Sequence, residues 1–163
     1  MIYPPGLAAA TNQPSSPFSQ CERYVADFEA AGATYNVSAF LLATFALQES
    51  SCKADAVADA GTYGLMQLSQ VSRAFAVISL HSAVHRSITL VFTSSQDKCV
   101  NIDCLNFKVN IKIGAAFFKQ LRDSNPSNLF AVIGGWNGWY PGMTYKDVIA
   151  HRSDCCYCQQ NLD

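Results

Sequence analysis

Glutamate is scarce in this chain: Glu22, Glu29 and Glu49 are the only three among 163 residues. Glu22 and Glu29 fall on the polar side of an amphipathic stretch, where solvation accounts for them. Glu49 is different, because it ends AFLLATFALQE, residues 39–49, the most apolar helical segment of the sequence. A carboxylate at the negative end of a helix dipole, walled by Phe45 and Leu47, is disfavoured in its charged form. Such a group has a raised pKa and keeps its proton near neutrality. A protonated carboxyl in an apolar cleft is the general acid that protonation of a glycosidic oxygen requires. The alternative for Glu49 is a helix-end carboxylate facing water.

Helices must position that group. Tyr24, Val25 and Phe28 recur at helical spacing and predict a first helix from about Cys21, with Gly32 as its C-cap. Asn36 or Ser38 can cap the second helix, Ala39 to about Glu49, which is apolar almost all round and should be central and buried. Asn36-Val37-Ser38 is also an N-glycosylation sequon, meaningful only in a secreted chain. Residues 53–69 contain Gly61 and Gly64 and read as irregular or hairpin-like. A third helix, Asn106 to Arg122, is signalled by Phe107, Ile111, Ala115 and Phe118. Asn128 can cap a fourth, Leu129 to about Gly134, and an aromatic, glycine-rich turn follows over residues 135–142. A last helix covers Tyr145 to His151. The fold class is mainly α with a small irregular or hairpin segment. Residues 1–20 read as a flexible leader before a single domain over residues 21–163.

Two short motifs give this outline a resemblance. Glu49-Ser50, followed by Gly64-Leu65-Met66-Gln67, resembles the paired motifs of soluble lytic transglycosylase (SLT) domains, relatives of goose-type lysozyme. Trp136-Asn137-Gly138 is similar to the third motif, with Trp in place of Tyr and the spacer residue lost. The likeness covers about Ala33 to Asp147 and implies a lysozyme-like helical domain with one catalytic glutamate. Glu49 would protonate the β-1,4 oxygen between N-acetylmuramic acid and N-acetylglucosamine. It would then take a proton from the sugar's own 6-hydroxyl, giving a 1,6-anhydro product. Met66 and Gln67 would line the cleft, and Trp136 and Asn137 would hold the sugar and Glu49 in place. Core packing is the alternative for Met66 and Trp136. Ser50 is expected to cap or orient backbone. Asp55 or Asp59 could instead activate water, which would make the chain a lysozyme- or chitinase-type hydrolase. A catalytically inactive wall-binding protein is the further alternative.

Composition excludes other classes. Half of the residues are hydrophobic and 14% are charged, so the chain can bury a core. Eleven basic against 12 acidic residues give a net charge of −1. That balance offers no field for nucleic acid or an anionic membrane, and no run approaches the roughly 20 apolar residues of a membrane span. The partner implied is peptidoglycan or a related amino-sugar polymer, met by a monomer with no cofactor.

Seven cysteines are the unusual quantity: Cys21, Cys52, Cys99, Cys104, Cys155, Cys156 and Cys158. They lack the repeated C-x-x-C spacing of a zinc site and read as disulfides, hence secretion, with a Cys/His zinc site through His151, four positions before Cys155, as the alternative. With the Cys-Cys-x-Cys end they are closer in style to secreted fungal members than to bacterial ones. No signal peptide is visible in Met1–Gln20, so either the chain stays inside the cell or, as is expected here, its N-terminus is incomplete, and the odd cysteine count suggests a C-terminus cut short.

Residues 71–96 interrupt the family pattern. The segment has no acid, Gly or Pro, contains six serines, and holds two of the three histidines. Gln70-Val71-Ser72 can be written CAG-GTA-AGT, a 5′ splice junction, and Gln96 can be the CAG of a 3′ splice end. A retained intron is expected. A genuine insertion beside the cleft is the rival; His81 and His85, spaced i, i+4, lack a third ligand, and no metal is expected.

Overall fold

The computed structural model describes residues 6–58, 61–68 and 104–137, together with Gly142, Thr144 and Lys146. The doubtful segment 71–96, Asp59, Cys99, the body of the expected last helix, and His151, Cys155, Cys156 and Cys158 lie outside the described residues. The chain divides into two compact units, Met1–Phe117 and Phe118–Asp163.

The first unit begins with α1 (Leu7–Thr11) and a 3-10 helix (Pro17–Tyr24), which passes into α2 (Val25–Tyr35). Residues 7–20, read from composition as a leader, therefore carry structure: Leu7, Ala10 and Thr11 are buried, and α1 packs on the 3-10 helix and on α3. Pro17 starts the 3-10 helix where a missing N–H is harmless, and Ser16 Oγ accepts the Phe18 N–H at 3.1 Å. The expected first helix is thus two elements, with the α-helical part starting at Val25.

Gly32 does not cap α2, contrary to expectation. The helix runs one turn further and ends at Asn36, whose φ of 52° is the left-handed conformation that asparagine tolerates. Gly32 serves the crossing of the chain instead. A Cβ there would lie 2.6 Å from the Val37 carbonyl oxygen, so only glycine admits the turn into the next helix.

That helix is α3 (Ala39–Ser50), capped by Ser38, whose Oγ accepts the Leu41 N–H. Leu42, Ala43, Phe45 and Ala46 are buried, and α3 packs against α2, the 3-10 helix and α1. It is central, as its composition predicts. Phe40 reaches the surface and meets Phe18 with ring centroids 4.8 Å apart.

β1 (Val57–Ala58) and β2 (Thr62–Tyr63) pair antiparallel in register Val57↔Tyr63, forming the expected hairpin. A bridge between Tyr63 and Leu68 closes a second turn over residues 64–67. The core of this unit gathers Tyr24, Phe28, Leu42, Leu65, Met66, Leu68, Ile111 and Ile113, each almost wholly covered.

The long helix α4 (Phe107–Ser124) starts in this unit, with Asn106 Oδ1 accepting the Lys108 and Val109 N–H groups. In the second unit, α5 (Leu129–Trp136) is capped by Asn128, as expected, and runs past Gly134 to Trp136. Gly135 lies against Leu121, where a Cβ would approach Leu121 Cδ2 to 3.0 Å. Among the described residues the fold is mainly helical with one small hairpin, and no helix is long and apolar enough to cross a membrane.

Cys21 in the 3-10 helix and Cys52 just past α3 form a disulfide across a sequence separation of 31. Closing a loop of that size restricts the unfolded chain by about 3–4 kcal/mol in the chain-entropy treatment. Reduction, or Cys21→Ala with Cys52→Ala, is therefore expected to lower unfolding free energy by that order in urea titrations. Identical midpoints with and without reductant would contradict the assignment.

Candidate active site

Glu49 and Ser50 occupy the last turn of α3, and both are half-buried. The helix stops abruptly. Ser51 and Cys52 both adopt left-handed backbone, with φ of 53° and 57°. Their N–H groups turn back to the Leu47 carbonyl at 2.9 Å and the Ala46 carbonyl at 3.1 Å, which satisfies the helix end. Two successive left-handed L residues cost about 1–2 kcal/mol each, so surrounding contacts must hold them. The disulfide at Cys52 is one such contact, and the Ser50 hydroxyl is the other.

Ser50 Oγ lies 2.7 Å from the Leu65 carbonyl oxygen and 3.0 Å from that of Ala46, and it accepts the Lys53 N–H at 3.1 Å. A hydroxyl has one proton to give, and the shorter contact joins the end of α3 to the turn at 64–67. Ser50 orients backbone, as the sequence reading expects.

Gly64-Leu65-Met66-Gln67 is tied down on every side. The Gly64 N–H donates to the Ala56 carbonyl at 2.8 Å, and the Leu68 N–H donates to Tyr63 at 3.1 Å. Gly64 has a φ of 73°, and a Cβ at that position would stand 2.4 Å from Asn110 Nδ2 and 2.6 Å from the Cys104 carbonyl oxygen. Glycine is the residue that fits both demands. Gln67 is itself left-handed at φ 40°. Its amide group closes the hairpin: Nε2 donates to Ala56 at 3.1 Å and to Gly64 at 2.9 Å, while Oε1 accepts the Thr62 hydroxyl at 2.7 Å.

Asn110 completes the arrangement, and sequence reasoning passes over it. The residue is fully buried on α4. Its Oδ1 accepts the Met66 N–H at 2.9 Å, and its Nδ2 donates to Tyr63 at 2.9 Å and to Cys104 at 3.0 Å. The signal that could have found it is its place one turn after Phe107 and beside Ile111, on the apolar face of the helix. A polar side chain there must be hydrogen-bonded.

The other expected residues are placed as follows. Met66 is fully buried, its side chain in the core behind the turn. Trp136 and Asn137 lie in the second unit, as the last residue and the C-cap of α5; both are half-buried, and the Asn137 N–H donates to Gly134 at 2.9 Å. Asp55 is exposed on the connection from α3 to β1. Glu22 and Glu29 are exposed, as solvation predicts.

Losing the Asn110 amide strands the buried Met66 N–H and Cys104 carbonyl. Asn110→Ala is expected to cost about 2–4 kcal/mol in denaturant unfolding. Gly64→Ala adds a left-handed Cβ to a site without space and is expected to cost at least about 2 kcal/mol. A loss under half a kcal/mol in either variant would show that the turn is not held in this way.

The family model of the transglycosylase SLT domain matches residues 27–139. Comparison with curated proteins gives no match. The matched span runs from α2 past the end of α5 and takes in Glu49-Ser50, the 64–67 turn, Asn110 and Trp136-Asn137. With more than half of its length inside the match, the chain belongs to the transglycosylase SLT domain family.

Proposed function

We propose that this chain is a lytic transglycosylase that cleaves the β-1,4 bond between N-acetylmuramic acid and N-acetylglucosamine in peptidoglycan. The observation that carries this reading is the placement of Glu49. It sits on the last turn of an apolar helix whose end is fixed, through Ser50, to the Gly64–Gln67 turn. Membership of a transglycosylase family supports the same reaction.

In the proposed mechanism the protonated Glu49 carboxyl gives its proton to the bridging oxygen, and the bond from that oxygen to C1 of the muramic acid breaks. The resulting carboxylate takes the proton of the 6-hydroxyl of the same sugar, whose oxygen closes onto C1. The proton lost in the first half returns in the second, and no water is consumed. By the resemblance, Trp136 would offer its indole face to a sugar ring and Asn137 a polar contact to the sugar. Met66, wholly buried, takes the core-packing alternative, and Gln67 contributes by stiffening the turn. The Cys21–Cys52 disulfide supports a working place outside the reducing cytosol.

Incubation with purified bacterial sacculi tests the reaction. Anhydro-muropeptides detected by mass spectrometry are the expected product. Reducing-end sugars would signal hydrolysis, with Asp55 the first residue to substitute, and cleavage of chitin alone would move the substrate. Binding without any product would make the chain a wall binder. Glu49→Gln is expected to lower product release by about 10²–10⁴-fold while leaving sacculus binding intact. Undiminished release from that variant would overturn the role of Glu49. Trp136→Ala is expected to weaken sacculus binding by about three- to tenfold in pull-down titrations; unchanged binding would remove it from the sugar site.

A further inference from the structure

The turn between α2 and α3 carries chemistry that the proposed reaction does not use. Asn36-Val37-Ser38 has the Asn-x-Ser pattern of an N-glycan acceptor, with a non-proline middle residue. The chain holds one other near-match, Asn125-Pro126-Ser127, in which proline blocks the pattern.

The fold presents the first of these well. Left-handed backbone at Asn36 ends α2, and the residue is exposed. The next residue, Val37, turns inward and is 7% exposed, whereas Ser38 is again at the surface. An Nδ2-linked sugar on the exposed Asn36 therefore leaves Val37 in the core. Distance from the catalytic helix end is the second consideration. Asn36 lies before the first residue of α3, and Glu49 lies on its last turn; 12 residues of helix separate the two ends by about 18 Å.

We infer that Asn36 is an N-glycosylation site whose glycan projects from the end of α3 remote from Glu49. The inference rests on the reading of a secreted chain, which the Cys21–Cys52 disulfide supports. In the modification step, Asn36 Nδ2 attacks the anomeric carbon of an oligosaccharide carried on a lipid pyrophosphate. The bond from that carbon to the pyrophosphate oxygen breaks, the lipid pyrophosphate leaves, and one amide proton passes to a base of the transferase. The step involves no oxidation or reduction.

The folded sequon also dictates when this happens. Ser38 Oγ is engaged as the N-cap of α3, accepting the Leu41 N–H, and Asn36 and Ser38 are held in a helix–turn–helix. A transferase that needs the asparagine and hydroxyl in an extended segment must act before α3 forms, that is, during translocation.

The full chain, directed into the secretory pathway of a yeast behind a cleavable signal, provides the test. Intact-mass and peptide mass spectrometry are run on the medium and on the membrane fraction of the cells. The expected result is one oligosaccharide on the Asn36 peptide, removed by peptide-N-glycosidase with conversion of Asn36 to aspartate. Asn36→Gln and Ser38→Ala lose it, and Ser38→Thr, which keeps both hydroxyl and helix cap, retains it. An unmodified Asn36 in both fractions, or a glycan that persists in Asn36→Gln, overturns the inference. Sacculus digestion by the glycosylated and enzymatically deglycosylated protein should proceed equally. A glycan that suppresses digestion would overturn the stated geometry, whereas failure of both forms to digest sacculi would count against the proposed reaction and not against the glycan.

Discussion

A buried turn needs partners for its backbone polar groups, and the turn at Gly64–Gln67 finds them in two side chains from distant helices. Asn110 of α4 takes the Met66 N–H and gives its own protons to Tyr63 and Cys104. Ser50 of α3 lies 2.7 Å from the Leu65 carbonyl. An unsatisfied buried amide or carbonyl costs about 1–3 kcal/mol, so these bonds matter chiefly through what their loss would leave behind. The apolar side chains of Leu65, Met66 and Leu68 lie in the core while the Leu65 carbonyl and the Met66, Gln67 and Leu68 N–H groups between them are hydrogen-bonded.

The same bonds fix the last turn of α3, where the carboxyl group proposed to react is placed. Helix ends fray when their terminal groups are bonded only to water. Here the end is fixed by the Ser50 hydroxyl, by Ser51 and Cys52 turning back on Leu47 and Ala46, and by the disulfide to Cys21. Left-handed backbone at Ser51 and Cys52 is the local cost of ending the helix so sharply. Glu49, one residue before Ser50, inherits that rigidity. Proton transfer to a glycosidic oxygen depends on a donor held within hydrogen-bond reach, so a fixed helix end is a mechanical requirement of the proposed chemistry.

Much of this was legible in the sequence where a strong local signal coincided with a tertiary need. The apolar run from Ala39 and the Ser38 cap mark α3, and Asn128 marks α5, because capping chemistry is local. The resemblance pairs Glu49-Ser50 with Gly64–Gln67, and the Ser50 hydroxyl joins the two at the Leu65 carbonyl. Gly32 misled because a glycine near a helix end reads as a cap, while its purpose is the close passage of the Val37 carbonyl. The helix Leu7–Thr11 has five residues, too few for periodicity to register, and depends on packing against α3 and the 3-10 helix. Asn110 was hidden for the opposite reason. One polar residue within an apolar repeat carries no pattern of its own, and two of its three partners, Tyr63 and Met66, lie in a segment that only the fold brings to it.

In the proposed reaction, the link between Ser50 and the Leu65 carbonyl is what holds Glu49 for catalysis. The most direct test compares kcat for release of anhydro-muropeptides with the affinity for sacculi in folded Ser50→Ala and Ser50→Thr proteins. If the link positions Glu49, Ser50→Ala lowers kcat by about tenfold or more with affinity preserved, and Ser50→Thr, which keeps the hydroxyl, recovers most of the rate. A Ser50→Ala protein that turns over like the parent would contradict the account.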